Sequence, residues 1–179
     1  MDIIPNASDA VKALEEARAL IRDLTPLKIN CGKLCGGACC QPSPDDDGEN
    51  GMLLFPFEES FYQEPIAGMP FHLIDDDTLF KGGKRFVCEG KCAREHRPLA
   101  CRIFPLRMRV EKDGELHVKA EIDPRAWCVC PLLEQGGLRA MSQDFVKAVE
   151  AAGSILCKNT TMLEALENEQ RLLDEMRRL

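Results

Sequence analysis

Residues 31–40 of the chain read Cys31-Gly32-Lys33-Leu34-Cys35-Gly36-Gly37-Ala38-Cys39-Cys40. This run holds four of the ten cysteines in 179 residues, so thiol chemistry is the first feature that the fold must accommodate. The spacing of four would place Cys31, Cys35 and Cys39 on one helix face. The intervening glycines favour a loop instead, because glycine allows tight backbone bends around a ligand. We therefore predict an irregular loop over residues 30–50.

Five further cysteines form two groups downstream. Cys88 and Cys92 precede Cys101, and Cys128 and Cys130 follow nearer the C-terminus. Thiolate sulfur ligates tetrahedral zinc, at a Zn–S distance of about 2.3 Å, and iron–sulfur clusters. The predicted metal ligands are therefore the nine clustered cysteines: Cys31, Cys35, Cys39, Cys40, Cys88, Cys92, Cys101, Cys128 and Cys130.

The number of centres is open at this stage. Nine thiols suit two sites of four ligands with one spare thiol, or one binuclear site. Adjacent Cys39 and Cys40 are expected to face two centres, or one of them to lie outside the ligand shell. The metal is either an iron–sulfur cluster, slightly preferred and of the 4Fe–4S type where four thiolates hold it, or zinc.

Charge is distributed unevenly along the chain. Asp45 to Asp77 contains ten acidic and no basic residues, whereas Lys81 to Arg109 contains nine basic residues and two glutamates. Four thiolates around zinc or an oxidised cubane cluster form a dianion, which the basic segment is predicted to offset. The candidate residues are Lys84, Arg85, Lys91, Arg94, Arg97 and Arg102. A solvated basic surface is the alternative, while the net charge of −7 and few aromatics argue against a nucleic-acid partner.

The other soft or nitrogen ligands form no motif. Cys157 lies inside a helical pattern and is predicted to be a small buried hydrophobic residue. His72, His96 and His117 have no metal-binding spacing. His96 lies between candidate ligands and could replace a thiolate, but a hydrogen-bonded or solvent-facing histidine is preferred.

Residues 97–105 carry a family resemblance. The segment Arg97-Pro98-Leu99-Ala100-Cys101-Arg102-Ile103-Phe104-Pro105 resembles the R-P-x-x-C-R-x-F segment of the YkgJ-type cysteine-cluster family. Cys39-Cys40 is similar to the terminal pair of that family's C-x2-C-x2-C-C pattern, spaced C-x3-C-x3-C-C here. The resemblance covers roughly residues 31–131 and implies a zinc- or iron-chelating protein. A similar pattern occurs in flagellin lysine-N-methylases, which are larger.

Three helices are predicted from apolar periodicity. The first starts near Ser8, shows an apolar face (Val11, Leu14, Ala17, Ile21 and Leu24) and ends at Pro26. The second spans about residues 142–156. The third starts at Thr161 with Glu164 as a capping box, and its apolar stripe comprises Met162, Leu166, Leu173 and Met176.

A β-hairpin is predicted from Leu106 to Ile122, and a short edge strand from Met52 to Phe57. A three-residue loop over residues 112–114, with Gly114 left-handed, pairs Val110 with Leu116 on the apolar face. The polar face then shows Arg107, Arg109, His117 and Lys119.

The predicted fold is α+β, with an irregular cysteine-rich, metal-tied centre and a β-hairpin, flanked by N- and C-terminal helices. We predict a single domain over residues 1–179, divided into an N-terminal helix (1–30), a cysteine-cluster core (31–131) and C-terminal helices (132–179). The N-terminal region lacks a continuous apolar signal region, and no run approaches the roughly 18 apolar residues of a membrane span. A cytoplasmic protein without a membrane partner is expected, in preference to an exported, disulfide-stapled domain.

The sequence favours a metal-binding module whose centre is structural, redox-active or delivered to a protein client. The alternative is an enzyme that uses the cluster for redox chemistry or protein lysine methylation, although the chain has no phosphate-cradling or dinucleotide motif. A thiol–disulfide protein is the third hypothesis, and its C-x-x-C motif beside a βαβ pattern is absent from the sequence.

Overall fold

Five helices and five strands make up the regular structure in a computed structural model that describes residues 7–29, 31–41, 51–88 and 92–177. The helices are α1 (Ala7–Leu20), α2 (Cys31–Cys35), α3 (Leu99–Ile103), α4 (Gln143–Leu156) and α5 (Thr160–Met176). The strands are β1 (Met52–Leu53), β2 (Phe71–Asp75), β3 (Lys84–Cys88), β4 (Leu106–Asp113) and β5 (Glu115–Ile122). The α+β class with helices at both ends is confirmed.

The main core lies between the helices and one face of the β4–β5 hairpin. Helix α4 buries Phe145, Val149 and Leu156 completely, and the hairpin contributes Met108 and Val118. At Gly153 the α4 backbone comes so close that an added Cβ would lie 2.5 Å from a Val118 methyl carbon. Dense apolar packing therefore fixes the hairpin against α4.

The hairpin forms in a different register from the predicted one. Val110 pairs with Val118, not with Leu116, so Gly114 alone lies between the paired strands, which are two positions out of the expected pairing. Gly114 does adopt a left-handed conformation, with φ of 92°. The apolar residues still share one face, because a shift of two positions preserves the alternation.

The polar face of the hairpin is not an open surface. Helix α5 covers part of it, and the Arg107 side chain is only 2% exposed. Its guanidinium donates to Glu121 across the strands at 2.7 Å and to Asp174 on α5. Arg109 also contacts Asp174, at 3.2 Å, so paired charges let a helix pack on a charged strand face.

A second, three-stranded antiparallel sheet has the order β1-β3-β2. The predicted edge strand is found as β1, although it covers only Met52–Leu53, while β2 and β3 have no counterpart in the sequence prediction. Phe71 and Phe86 stack against each other at 4.9 Å between centroids, and Tyr62 packs on Phe86 at 4.7 Å. These rings form a small second core beneath the end of β3.

The helix boundaries differ from the predicted ones at three places. Helix α1 ends at Leu20, well before Pro26, although Ile21 continues its buried face. Cys31–Cys35 is a short helix, not a loop, while Asn30 and residues 42–50 of the predicted loop lie outside the described residues. Asn159, not Thr161, caps α5, accepting from the Met162 N–H at 3.2 Å.

The other predictions for the helices are closer to the structure. Helix α4 begins one residue after Ser142 and ends at Leu156, as expected. On α5, Met162, Leu166 and Leu173 are buried, whereas Met176 is 46% exposed. Within the described part of the chain, none of the helices is both long and apolar enough to cross a bilayer.

Candidate metal centre

One of the two arginines in the Arg97–Pro105 segment, Arg102, holds the segment in place. It contains α3, which carries Cys101, and lies between the two sheets along the chain. The buried Arg102 guanidinium donates to the carbonyl oxygens of Arg97 at 2.9 Å and Arg18 at 3.2 Å, and also to that of Glu95. Arg102 thus ties the approach to α3 and the end of α1 together, which fixes where Cys101 sits.

A fully buried carboxylate supports the other side of α3. Glu58 accepts from the backbone N–H of Leu99 at 2.7 Å, from that of Phe55 at 3.2 Å and from Arg18 at 2.9 Å. Burial raises the pKa of Glu58, and the Arg18 charge opposes that rise. Tyr62 donates to the carbonyl of His96 at 2.9 Å, so the turn before α3 is also anchored.

Thiols from three separate stretches of chain lie near Arg97. Arg97 Nε donates to the Cys92 sulfur at 3.2 Å. Burial lowers the pKa of Arg97, but the charges of Cys92, Cys40 and Cys101 raise it by more, so the net shift is upward. These thiols are therefore electrostatic neighbours of Arg97. Cys88 hydrogen-bonds to Cys92. We call Cys40, Cys88, Cys92 and Cys101 the Arg97 group.

Two members of the Arg97 group are biased toward the thiolate. A hydrogen bond from Cys88 and the positive charge of Arg97 lower the pKa of Cys92 to about 6, against the effect of burial. A hydrogen bond from Cys39, together with Arg97, lowers the pKa of Cys40 to about 7. Burial, followed by the charges of Cys40 and Cys92, raises the pKa of Cys101. The thiolate is the form of cysteine that binds metals.

A second set of thiols collects around α2. Burial raises the pKa of Cys31, and the charges of Cys35 and Cys130 add to the rise. Burial also raises the pKa of Cys130, where Cys35 again contributes. The pKa of Cys39 is raised by its hydrogen bond to Cys40, by burial and by the charges of Cys40, Cys31 and Cys35. We call Cys31, Cys35, Cys39 and Cys130 the α2 group.

The adjacent pair Cys39 and Cys40 lies between the two groups. Their sulfur atoms are 3.9 Å apart. Cys39 interacts with Cys31 and Cys35, whereas Cys40 interacts with Cys92. Beyond their contact with each other, the two neighbouring residues therefore have different thiol partners.

The last two cysteines lie outside both groups. Cys128 is exposed at the end of the turn Pro124–Cys128. Cys157 ends α4, is half-buried against the main core, and has its pKa raised to about 11 by burial and by Glu167. It packs against the main core as a hydrophobic residue but is less buried than predicted.

The thiol groups do not form a closed coordination sphere. Among the described residues, no three His, Cys, Asp or Glu side chains adopt a geometry that could hold a metal ion. All ten cysteines lie in the described ranges, and no disulfide joins any of them. The donor chemistry suits zinc or an iron–sulfur cluster, but the sulfurs would have to turn toward a common point to ligate either.

Fewer basic residues lie near the thiols than the sequence predicts. Lys84 pairs with Asp75, and Arg85 with Asp76. Arg94, like Arg102, donates to backbone carbonyls, including those of Ile21 and Leu24, while Lys91 lies outside the described residues. Arg97 donates to a thiol, and the charge of Arg94 acts on Cys31, so these two members of that set are the ones with a described effect on a cysteine.

Two of the histidines have other partners. His117 Nε2 lies 3.0 Å from Glu111 on the paired strand. His96 offers its backbone carbonyl to Tyr62.

The supporting residues around α3 are missing from the sequence prediction. Glu58 lies in the acidic stretch, where every carboxylate resembles a solvated one. Arg18 lies on a helix whose sequence pattern predicts an apolar packing face. Only the spacing of Glu58 before the aromatic Tyr62 hints that one face of this turn is buried.

No family model, curated protein or solved structure matches this chain. The resemblance to the YkgJ-type family therefore stays a prediction. Function has to be inferred from the chain's own side chains.

Proposed function

We propose that this protein binds metal through its clustered cysteines, holding two thiolate-ligated centres, one in the Arg97 group and one in the α2 group. The observation that carries the proposal is the Arg97 guanidinium, which donates to the Cys92 sulfur at 3.2 Å with Cys40 and Cys101 as its other thiol neighbours. A fixed cation amid several thiols is the arrangement that an anionic metal–thiolate centre needs.

The chemistry of the chain supports metal uptake at neutral pH. Ligation requires deprotonated sulfur, so thiols with pKa values near 6 and 7 at Cys92 and Cys40 lose few protons on binding. Arg97 remains charged at any physiological pH and offsets part of the negative charge. A bound zinc would supply a structural cross-link, and an iron–sulfur cluster a one-electron redox centre.

The separation of Cys39 from Cys40 supports two centres over one. Each of the two groups contains four thiols, which is the ligand number of a zinc site or a cubane cluster. Cys128 is then the ninth, spare thiol. An iron–sulfur cluster remains slightly preferred over zinc, on the sequence pattern alone.

The direct test is elemental analysis of protein purified both anaerobically and in air, together with acid-labile sulfide and the visible spectrum. We expect up to two zinc ions per chain without sulfide, or iron with equimolar sulfide and a brown colour. Protein isolated from both preparations without metal, and unable to take up zinc or a reconstituted cluster, would end the proposal.

Two cysteine variants sharpen that test. Cys101→Ser should lower both bound metal and thermal stability, because metal–thiolate energy contributes to folding. Cys157→Ser is the matched control, because Cys157 lies apart from both groups, and its metal content should equal that of the wild type. Unchanged metal in Cys101→Ser would remove Cys101 from the ligand set.

One observation favours a second candidate function, thiol–disulfide exchange. The low pKa of Cys92 and its hydrogen bond to Cys88 describe an attacking thiol beside a potential partner. Titration of metal-free protein with oxidised glutathione, which is reduced to two glutathione thiols, should then give a Cys88–Cys92 disulfide that reduced glutathione reverses, as followed by mass spectrometry. Catalysis at a cluster, by redox chemistry or lysine methylation, stays a prediction that no described contact favours.

A further inference from the structure

We infer that the two thiol groups differ in lability: the α2 group is an exchange site that passes a divalent cation such as zinc to external thiols, while the Arg97 group retains its metal. This inference rests on the proposed function. The exchange is a ligand substitution without redox change. Each bond from zinc to an α2-group sulfur is replaced by a bond to an acceptor sulfur, and the acceptor's thiol protons pass through solvent to the freed cysteines.

Three of the four thiols of the Arg97 group lie on anchored structure, whereas Cys40 ends the Ala38–Cys40 turn. Cys88 ends the central strand β3, paired with Phe71 of β2, and packs with Cys92 against the second core. Cys101 lies on α3, which Arg102 and Glu58 tie to α1 and to the turn after β1. Opening this site requires breaking buried hydrogen bonds and aromatic contacts together.

The α2 group is carried by weakly anchored structure. Helix α2 has five residues and buries none of them, and the turn Ala38–Cys40 buries none either. Such a short helix has little stability of its own. Gly36 and Gly37, both with positive φ, join these two pieces. Three of the four thiols in the group therefore lie on a segment whose local opening costs little.

External ligands can reach the α2 group directly. Cys39 is exposed, as is Cys128, two residues before Cys130. A spare thiol beside a site gives the departing cation a temporary ligand, which speeds stepwise substitution. Leu34, next to Cys35, is 64% exposed, and Trp127, next to Cys128, is 61% exposed. These large side chains therefore face solvent and do not cover the site.

The experiment follows zinc release from the full-length chain, loaded with Zn²⁺ under anaerobic conditions. The chromogenic chelator 4-(2-pyridylazo)resorcinol in excess reports release by absorbance. We expect two phases of about equal amplitude, the fast one at least about tenfold faster. Cys35→Ser should remove the fast phase and Cys101→Ser the slow one.

Alkylation of the wild type gives the same assignment without a variant. N-ethylmaleimide added as the fast phase ends, with peptide mass spectrometry, should label Cys31 and Cys35 while Cys88, Cys92 and Cys101 stay protected. A single release phase, or early labelling of the Arg97 group, would overturn the inference and leave metal binding standing. Failure to load zinc or a cluster at all would instead remove the proposed function.

Discussion

The α4–hairpin body and the cysteine-bearing segments are stabilised by different means. Helix α4 completely buries Phe145, Val149, Ala152 and Leu156, and meets the hairpin through apolar contacts. Helix α2 buries none of its five residues. The body is therefore stabilised by hydrophobic burial, whereas α2 and the Ala38–Cys40 turn bury no residue and rely on polar ties and on any metal that crosslinks them.

Arginines do much of that tying. Arg94 and Arg102 donate to backbone carbonyls of the segment between α1 and α2, of α1 itself and of the turn before α3. These contacts satisfy carbonyls in the last turn of α1 and in irregular segments. They add polar ties to the apolar packing that α3 makes in the main core.

Metal removal should separate the two regions most strongly. With the chelator TPEN under anaerobic conditions, we expect the amides of α3 and the end of β3 to lose hydrogen-exchange protection, since thiolate–metal bonds contribute on the order of 10 kcal/mol to small metal-tied folds. The amides of α4 should stay protected. Equal loss of protection in both regions would contradict the comparison.

A core truncation should act on the body whether or not metal is present. Phe145→Ala removes a ring that is fully buried and should cost about 4 kcal/mol in the free energy of unfolding, measured by urea denaturation. Leu34→Ala, on exposed α2, is the matched control and should change it by less than about 0.5 kcal/mol. A cost for Phe145→Ala that disappears in metal-free protein would show that the body is not independent.

The buried carboxylate should matter to the cysteine-bearing part. Glu58→Ala leaves Arg18 and the Leu99 N–H without their acceptor, and should cost about 3 kcal/mol and reduce bound metal. Glu59→Ala, its neighbour, serves as the control, with a change below about 0.5 kcal/mol. Should Glu58→Ala fail to fold, Glu58→Gln keeps the shape and removes only the charge. Wild-type metal content in a stable Glu58→Gln variant would mean that the charge has no role at the site.

The smallest expected effect is a pH shift. In metal-free protein, alkylation of Cys92 should follow an apparent pKa of about 6, because the Cys88 hydrogen bond and Arg97 favour the thiolate. The sign for stability follows: this contribution is complete above the usual thiol pKa near 9 and is lost as the pH falls through about 6. Cys88→Ala and Arg97→Met should each raise the alkylation pKa of Cys92. A profile that either variant leaves in place would exclude the named partner as a cause.

The sequence predicts the body better than the cysteine-bearing segments, for a physical reason. Helix α4 and the hairpin are predicted from apolar periodicity, since each buries one face. The predicted hairpin register is wrong. Helix α5 supplies charged partners to the polar face, and the sequence pattern does not contain this tertiary contact. Strands β2 and β3 are missed because β2 lacks a buried face, its residues being half-buried or exposed.

The candidate site shows the same division. Counting and spacing identify the nine clustered cysteines, but their assignment to two groups depends on how the chain returns to α2 from Cys130 and to Cys40 from Cys92. Glycine content favours a loop over residues 31–40, yet Gly36 and Gly37 only end the helix that forms there. Glu58 is recognisable as a support only when its burial is known.

The peptide bond between Cys39 and Cys40 couples the two groups mechanically. An ion that fixes either sulfur also fixes the backbone of the other, which then needs less ordering to ligate a second ion. Loading should therefore be cooperative, with a Hill coefficient above one for zinc binding, and a glycine inserted between residues 39 and 40 should return it to independent uptake.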